Sequence, residues 1–140
     1  MTIRQISVFV ENKPGAMVSI TQALGKAGVD LRALSLADTQ DFGILRMIVD
    51  EPDKARNALK EIGVISKCTD VIAVYIDDKT GGLAEVLKVL SEEELGIEYM
   101  YAFLGRTHGK ALMVLKADEP EKAIKTLEAD GIKVATKEEI

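Results

Sequence analysis

The apolar positions of the chain change period within its first thirty residues. Residues 3–10 are rich in Ile, Val and Phe, which predicts a strand. Beyond Pro14 the apolar residues fall at helical spacing as far as Leu24, and Gly28 supplies a stop signal. The chain therefore opens with a strand, a turn and an amphipathic helix.

The same signals predict the other elements. In the first half we expect strands over 29–37 and 43–49, a helix from Pro52 to Gly63, and a short strand opening at Val64 and Ile65. In the second half we expect a strand over 71–76, a helix around 83–90, strands over 97–104 and 111–117 with a turn around Thr107-His108-Gly109, and a last helix and strand around Ala123, Leu127 and Ile132.

This pattern occurs twice because the sequence itself is repeated. Residues 8–17 recur as residues 74–83, and residues 50–55 recur as residues 118–123. A repeat of this length is one small domain used twice rather than a solenoid unit of about 20–50 residues. The second offset is two residues longer than the first, and we expect the slip at the end of the first helix of the repeat.

Each repeat has the order strand, helix, strand, strand, helix, strand, which is a split βαβ unit. The predicted fold class is therefore α+β, with two ferredoxin-like βαββαβ sandwiches in tandem over residues 1–68 and 69–140. The boundary, near Lys67 to Asp70, has no Gly/Ser linker, so we expect docked rather than free halves. Residues 99–104 are apolar on both sides, so both sheet faces should be covered by the other repeat, a second chain, or both.

Composition narrows the function classes. The 140 residues carry a net charge of −5 with scattered Lys and Arg, which disfavours nucleic acid or an anionic membrane as partner. Cys68 is the single cysteine and His108, in a predicted exposed turn, the single histidine, so we expect neither a disulfide nor a metal site, and no cofactor. No apolar run approaches a membrane span and no secretory pattern follows Met1, so the predicted location is cytoplasmic.

The turn between the first strand and helix carries the candidate chemistry. Gly15 lets a ligand approach the backbone closely, and Pro14 stiffens the turn. The helix behind it leaves its first N–H groups free, which is a seat for a carboxylate. An amino acid has such a carboxylate, and Asp30 at the start of the next strand is a candidate partner for its ammonium group.

The segment Glu11-Asn12-Lys13-Pro14-Gly15-Ala16-Met17 resembles the signature loop of the ACT domain family. The resemblance includes the following helix, Gly28-Val29-Asp30-Leu31, and the order of elements in both repeats. It implies small regulatory modules that bind amino acids, in which the loop of one domain faces the second-strand start of its neighbour. The ligand-binding residues so implied are Val10, Glu11, Asn12, Pro14, Gly15, Ala16, Met17, Asp30, Leu31, Ile76, Asp78, Gly81, Gly82, Leu83, Glu98, Tyr99 and Met100.

The second copy of the loop departs from this pattern. Asp78 replaces Asn12, Thr80 replaces Pro14, and Gly82 replaces Ala16. We therefore expect a weaker or differently used site there, in which Thr80 remains able to cap the helix. By the expected slip, Glu98 takes the place of Asp30 and Tyr99 that of Leu31.

The sequence thus predicts a non-catalytic amino-acid sensor that forms a homodimer and regulates an enzyme or regulator in trans. One alternative is an assembly module whose loop binds nothing. A less favoured one is a small ferredoxin-like hydrolase, but acylphosphatases need an Arg in a phosphate-binding loop, and these loops hold Lys13 and Lys79. RNA binding is set aside because only 4% of residues are aromatic and the charge is negative.

Overall fold

The computed structural model describes residues 1–38, 40–105 and 109–140, which form two compact units. The N-terminal unit is Arg4–Thr69, and the C-terminal unit is Asp70–Ile140 together with Met1–Ile3. The sequence-based domain limits, 1–68 and 69–140, are a separate statement from these compact units and stay a prediction. Of the predicted turn at 107–109, Thr107 and His108 lie outside the described residues.

The predicted alternation of strands and helices is confirmed. The elements are β1 (Ile3–Glu11), α1 (Ala16–Lys26), β2 (Leu31–Asp38), β3 (Phe42–Val49), α2 (Pro52–Glu61), β4 (Ser66–Asp77), α3 (Gly82–Glu92), β5 (Ile97–Ala102), β6 (Lys110–Ala117), α4 (Pro120–Ala129) and a short 3-10 helix (Lys137–Glu139). Pro52 and Pro120 stand at the first positions of α2 and α4, where a missing N–H costs no helical hydrogen bond.

In the N-terminal unit the strand order is β2-β3-β1-β4. β1 and β3 are antiparallel, with Val8 opposite Leu45. Both of these side chains are buried in one core cluster with Ile20 and Leu24 of α1 and Leu59 of α2. Because strand side chains alternate between faces, the other face of β1 carries Ser7, Phe9 and Glu11.

In the C-terminal unit the strand order is β4-β6-β5. Val74 and Leu115 pack in its core with Val86 of α3 and Leu127 of α4. The predicted last strand near Ile132 is wrong in extent, because the chain there makes only an isolated bridge between Val74 and Val134. Two backbone hydrogen bonds support it: Tyr75 N–H donates to Lys133 O at 3.0 Å, and Ala135 N–H donates to Ala73 O at 2.8 Å.

The expected break between the fourth and fifth strands is also wrong. The chain runs from Ser66 to Asp77 as one strand, β4, which begins in the N-terminal unit and continues in the C-terminal one. Its sequence contains neither Gly nor Pro, so no turn signal interrupts it. It starts at Ser66 rather than at Val64, and Val64 instead donates its N–H to Leu59 O in the turn that ends α2.

The two-residue slip between the repeats lies elsewhere than predicted. Val29 N–H donates to Leu24 O, and Leu95 N–H donates to Leu90 O, so the offset of the first loop still holds beyond the helix. The extra residues fall in the following hairpin instead. Ala37 pairs with Ile44 in the first repeat, whereas Phe103 N–H donates to Leu112 O in the second.

This register changes which residues correspond. Asp30 N–H donates to the Asp50 carboxylate at 2.9 Å, and Gly96 N–H donates to the Asp118 carboxylate at 3.0 Å. Gly96 therefore takes the place of Asp30, and the expected equivalence of Glu98 with Asp30 is wrong. By the same register Tyr99 corresponds to Ala33 rather than to Leu31, because each follows the β-bulge at the start of its strand.

Candidate functional site

The loop before α1 has a defined backbone. Lys13 N–H donates to Glu11 O at 2.9 Å, and Ala16 N–H donates to Lys13 O at 3.3 Å. Gly15 is the N-cap of α1 with φ 89°, a left-handed conformation that favours glycine. The Lys13 ammonium pairs with the Glu11 carboxylate at 3.0 Å, so the cation of the loop is directed at its own neighbour.

The start of α1 is open. No described side chain caps it, and its first intrahelical bond runs from Ser19 N–H to Gly15 O at 3.1 Å. The N–H groups of Met17 and Val18 precede that bond and have no helical acceptor. A Cβ atom placed on Gly15 would meet no described atom within 4 Å. Unpaired amides, the positive end of the helix and free space together suit a bound carboxylate.

The loop before α3 repeats this backbone more tightly. Lys79 N–H donates to Asp77 O at 2.8 Å, Gly82 N–H to Lys79 O at 3.0 Å, and Gly81 is the N-cap with φ 82°. A Cβ atom placed on Gly82 would collide with Asp77 O, so the strand end occupies the volume that Ala16 fills in the first loop. The expectation that Thr80 caps α3 is wrong, since the N-cap is Gly81 and no described side chain caps this helix.

Asp30 does not lie near the loop within its own unit. Asn12 N–H donates to Asp41 O at one end of the β2–β3 hairpin, whereas Asp30 contacts Asp50 at the other end. The eight residues of β2 between the two ends span roughly 26 Å. One unit therefore cannot bring Asp30 and the loop to a single ligand. The Asp30 carboxylate is exposed and pairs with Arg32 at 3.3 Å.

The predicted wall residues divide between core and surface. Val10 and Ile76 are buried core side chains, and Leu31, Leu83 and Met100 pack partly buried against the two cores. Tyr99 pairs with Lys116 and is half-buried on the opposite face from Met100. Asp78 and Glu98 are exposed. Whether any of these residues contacts a ligand stays a prediction.

The sequence did not predict a cavity of about 820 Å³ in the C-terminal unit. It is lined by Tyr75, Asp77, Gly82, Glu85, Val86, Lys110, Asp130, Gly131, Ile132, Lys133 and Glu139. Gly82 is its single member among the predicted site residues. One signal was available: Asp130 ends a helix whose last turn holds no basic residue, and an acid there opposes the helix dipole.

A network of charges forms one wall of this cavity. The Lys133 ammonium contacts the Glu139 carboxylate at 2.6 Å and lies 5.0 Å from the centre of the Tyr75 ring. Tyr75 Oη donates to Glu139 at 3.3 Å. The hydrogen bonds from Lys133 and from the Thr136 backbone lower the pKa of Glu139 to about 2. Burial raises the pKa of Tyr75, and the nearby Glu139 carboxylate adds to the rise.

Two further features of the described residues concern metal binding and membrane crossing. No group of three or more His, Cys, Asp or Glu side chains among residues 1–38, 40–105 and 109–140 is arranged to hold a metal ion. Within the same ranges, no helix combines the length and apolar character needed to cross a membrane. Cys68 is half-buried, and Arg4 Nη2 donates to its sulfur at 3.6 Å.

Several solved structures share the fold of this chain. A protein from Bacteroides thetaiotaomicron shares 38% identity with this chain at a TM-score of 0.90, covering 96% of this chain and 92% of its own. The regulatory subunits of aspartate kinase from Thermus thermophilus and Thermus flavus share its fold at TM-scores of 0.65 and 0.61, with 14% and 15% identity and 90% coverage of both chains.

The family comparison covers almost the whole sequence. No curated protein matches the chain. The family model described as the ACT domain pair matches residues 1–139. The two loops, the two units and this match agree, and the ACT domain is a regulatory, small-molecule-binding domain type. The chain belongs to the ACT domain pair family.

Proposed function

We propose that this chain is a non-catalytic regulatory protein that binds an L-amino acid at the loop before α1. The observation that carries the proposal is the left-handed Gly15 at an uncapped helix start, with open space in front of it. The ligand carboxylate would accept hydrogen bonds from the N–H groups of Met17 and Val18. Asn12, which both donates and accepts, suits the charged groups of a zwitterion.

The loop before α3 is the weaker candidate for the same ligand. Its backbone offers the same amides, but Asp78 places a carboxylate where the first loop has the neutral Asn12. Asp77 O also fills the space beside Gly82. A bound carboxylate would meet like charge from Asp78, so we expect at least tenfold lower affinity there.

The source of the ammonium partner is a further part of the proposal. Family resemblance assigns it to the second-strand start of a neighbouring domain, where Asp30 and Glu98 are the acids available. A ligand that contacts two domains at once would favour the arrangement in which both domains reach it. The size of this shift is set by the difference between the ligand's affinities for the two arrangements. A regulated partner would then respond in trans.

We also propose that the protein is a homodimer. Support comes from the N-terminal unit, where Phe9 is 73% and Ile65 is 91% exposed. Exposed apolar side chains of this size favour contact with another surface. Sedimentation velocity across a concentration series would test this, with Phe9→Ser and Ile65→Ser combined as the disrupting variant and Val18→Ser as an exposed apolar control. A monomer at all concentrations contradicts the dimer.

The test of ligand binding is a thermal-shift screen of glycine and the nineteen chiral L-amino acids, followed by calorimetry. Gly15→Asn keeps a residue that tolerates left-handed backbone but places a side chain in the open space. Gly63→Asn is the matched control, because Gly63 has φ 78°, no described atom near a Cβ, and a position outside the loop. We expect Gly15→Asn to weaken binding at least tenfold and Gly63→Asn to leave it unchanged.

Two results would contradict the amino-acid proposal. Absence of any stabilising amino acid at millimolar concentration would favour the assembly module. Equal affinities of Gly15→Asn and Gly63→Asn would show that the ligand binds somewhere other than the loop.

A further inference from the structure

We propose that the cavity of the C-terminal unit binds a small primary ammonium compound with an apolar body, at a site separate from the loop before α1. The ammonium group would sit at Asp130 and Glu85, and the body would lie against Tyr75, Val86 and Ile132. An amine and an amino acid share this chemistry, and the experiment below distinguishes them.

The cavity has the size and walls of a small-molecule site. Its volume of about 820 Å³ lies within the range of about 300–1,000 Å³ for such sites. Val86 is buried, Ile132 is partly buried against the core, and Tyr75 is half-buried. These three side chains give a fixed apolar surface, because their packing against the core of the unit restricts their movement.

Most of the charge in the cavity is already neutralised. Lys110 pairs with Asp77, and Lys133 pairs with Glu139. Because the pKa of Glu139 is about 2, its carboxylate is ionised and pairs with Lys133 across the physiological pH range. Neither lysine is therefore an unpaired cation that would repel an incoming ammonium group.

The remaining charges are acids. Glu85 is held only loosely, by Lys79 at 3.5 Å, and both side chains are more than half exposed. Asp130 forms no ion pair with any described residue and stands at the C-cap of α4, where the helix dipole is negative. A cation beside Asp130 would be attracted both by the carboxylate and by the last carbonyl groups of the helix.

The N-terminal unit shows that this charge pattern is not a requirement of the fold. By the corrected register, Ile62 stands at the position of Asp130, Ile65 at that of Lys133 and Phe9 at that of Tyr75. The backbone of the helix end is the same there, with left-handed Gly63 in place of left-handed Gly131. The acid and the network beside it are thus particular to the C-terminal unit.

The experiment compares three probes of one shape by calorimetry on the full chain. Isopentylamine carries only the ammonium group, L-leucine carries both charged groups, and 4-methylpentanoate carries only the carboxylate. We expect isopentylamine to bind and 4-methylpentanoate not to bind. Leucine binding at the cavity as tightly as the amine identifies an amino acid as an acceptable source, and exclusion of leucine identifies an amine.

Asp130→Asn is the test variant and Glu128→Gln its matched control, since both acids are exposed at the end of α4 and only Asp130 lines the cavity. We expect Asp130→Asn to weaken the amine at least tenfold and Glu128→Gln to change it less than twofold. Amine binding that survives Asp130→Asn, or no amine binding at 10 mM, overturns the proposal. We expect Gly15→Asn to leave the amine affinity as it is in the parent chain, and a loss of amine binding in this variant would place the amine at the loop instead.

Discussion

The loops before α1 and α3 share their main-chain hydrogen bonds and differ in the room that they leave. In both, the N–H group of the loop lysine donates to the carbonyl at the strand end, and a left-handed glycine occupies the N-cap position of the helix. At the next position Ala16 has space for its methyl group, whereas the strand carbonyl of Asp77 lies against Gly82. Duplication has therefore kept the backbone while the packing of the two helix starts diverged.

The same contrast appears on the first strand of each repeat. Phe9 is exposed in the N-terminal unit, whereas its counterpart Tyr75 is half-buried beside Lys133 and Glu139. After the N-terminal repeat the chain continues into β4, but after the C-terminal repeat it folds into the short 3-10 helix that carries Glu139. The segment that follows each repeat thus decides whether the side chain at the position of Phe9 and Tyr75 is covered by the chain itself.

The largest expected effect tests the difference in room. Gly82→Ala should lower the free energy of unfolding by about 3 kcal/mol, because its methyl group would collide with the backbone oxygen of Asp77. Ala16→Gly, the reciprocal change, should cost about 1 kcal/mol from helix propensity alone. Urea unfolding measures both. Equal losses in the two variants would mean that the loops are packed alike.

The next effect tests the corrected register. Asp118→Ala should lower the free energy of unfolding by about 1 kcal/mol, since it removes the acceptor for Gly96 N–H. Asp50→Ala should do the same through Asp30 N–H. Asp53→Asn, on the first turn of α2, is the comparison variant. It also removes an acid, but Asp53 contacts Arg4 rather than a main-chain N–H group, so its effect on the free energy of unfolding should differ. Hydrogen exchange of the Gly96 and Asp30 amides supplies the direct readout, and unchanged protection in both variants contradicts the register.

A smaller effect tests the turn after the first helix of each repeat. Glu94 has φ 56° where the first repeat has Gly28 with φ 73°. Glu94→Gly should raise the free energy of unfolding by roughly 0.5–1 kcal/mol, because glycine adopts this conformation without strain. Gly28→Ala should lower it by a similar amount, with Gly25→Ala as a control at a helical glycine. A destabilised Glu94→Gly would contradict the backbone assigned here.

The smallest effect tests the network of the C-terminal unit. Because the folded state lowers the pKa of Glu139 to about 2, the ionised carboxylate contributes stability above its unfolded pKa of about 4.5 and loses it as the pH falls toward 2. Glu139→Gln should therefore flatten the dependence of Tm on pH between 5 and 2. Glu138→Gln, the exposed neighbour, should retain the slope of the parent chain.

The fold was largely predictable because periodicity and repetition reinforce each other. Helix starts at Pro52 and Pro120 and the glycine loop at Gly15 carry local signals that packing does not override. The continuity of β4 was missed for the opposite reason. The sequence predicts separate strands on either side of residues 67–70, but residues 66–77 contain neither Gly nor Pro, and a strand continues when no turn signal ends it.

The candidate site was less predictable because it depends on register and on distant contacts. Sequence identity between the two repeats cannot show whether the two extra residues lie before or after a strand. A shift of two residues also leaves every strand side chain on the same face of the sheet, so the apolar pattern does not reveal it. The hydrogen bonds of Asp50 and Asp118, together with the pairing of the two hairpins, decide it. The cavity depends on Tyr75, which is far in sequence from Asp130 and Glu139, and the three residues follow no motif.

Gly82 has a consequence for how the two halves of the gene can evolve. Every amino acid other than glycine has a Cβ, so the main-chain oxygen of Asp77 excludes all nineteen alternatives while that carbonyl stays in place. The codon for residue 16 is free of this restriction. Substitution at residue 16 can therefore reshape the first helix start, whereas the second helix start can change only at positions other than residue 82.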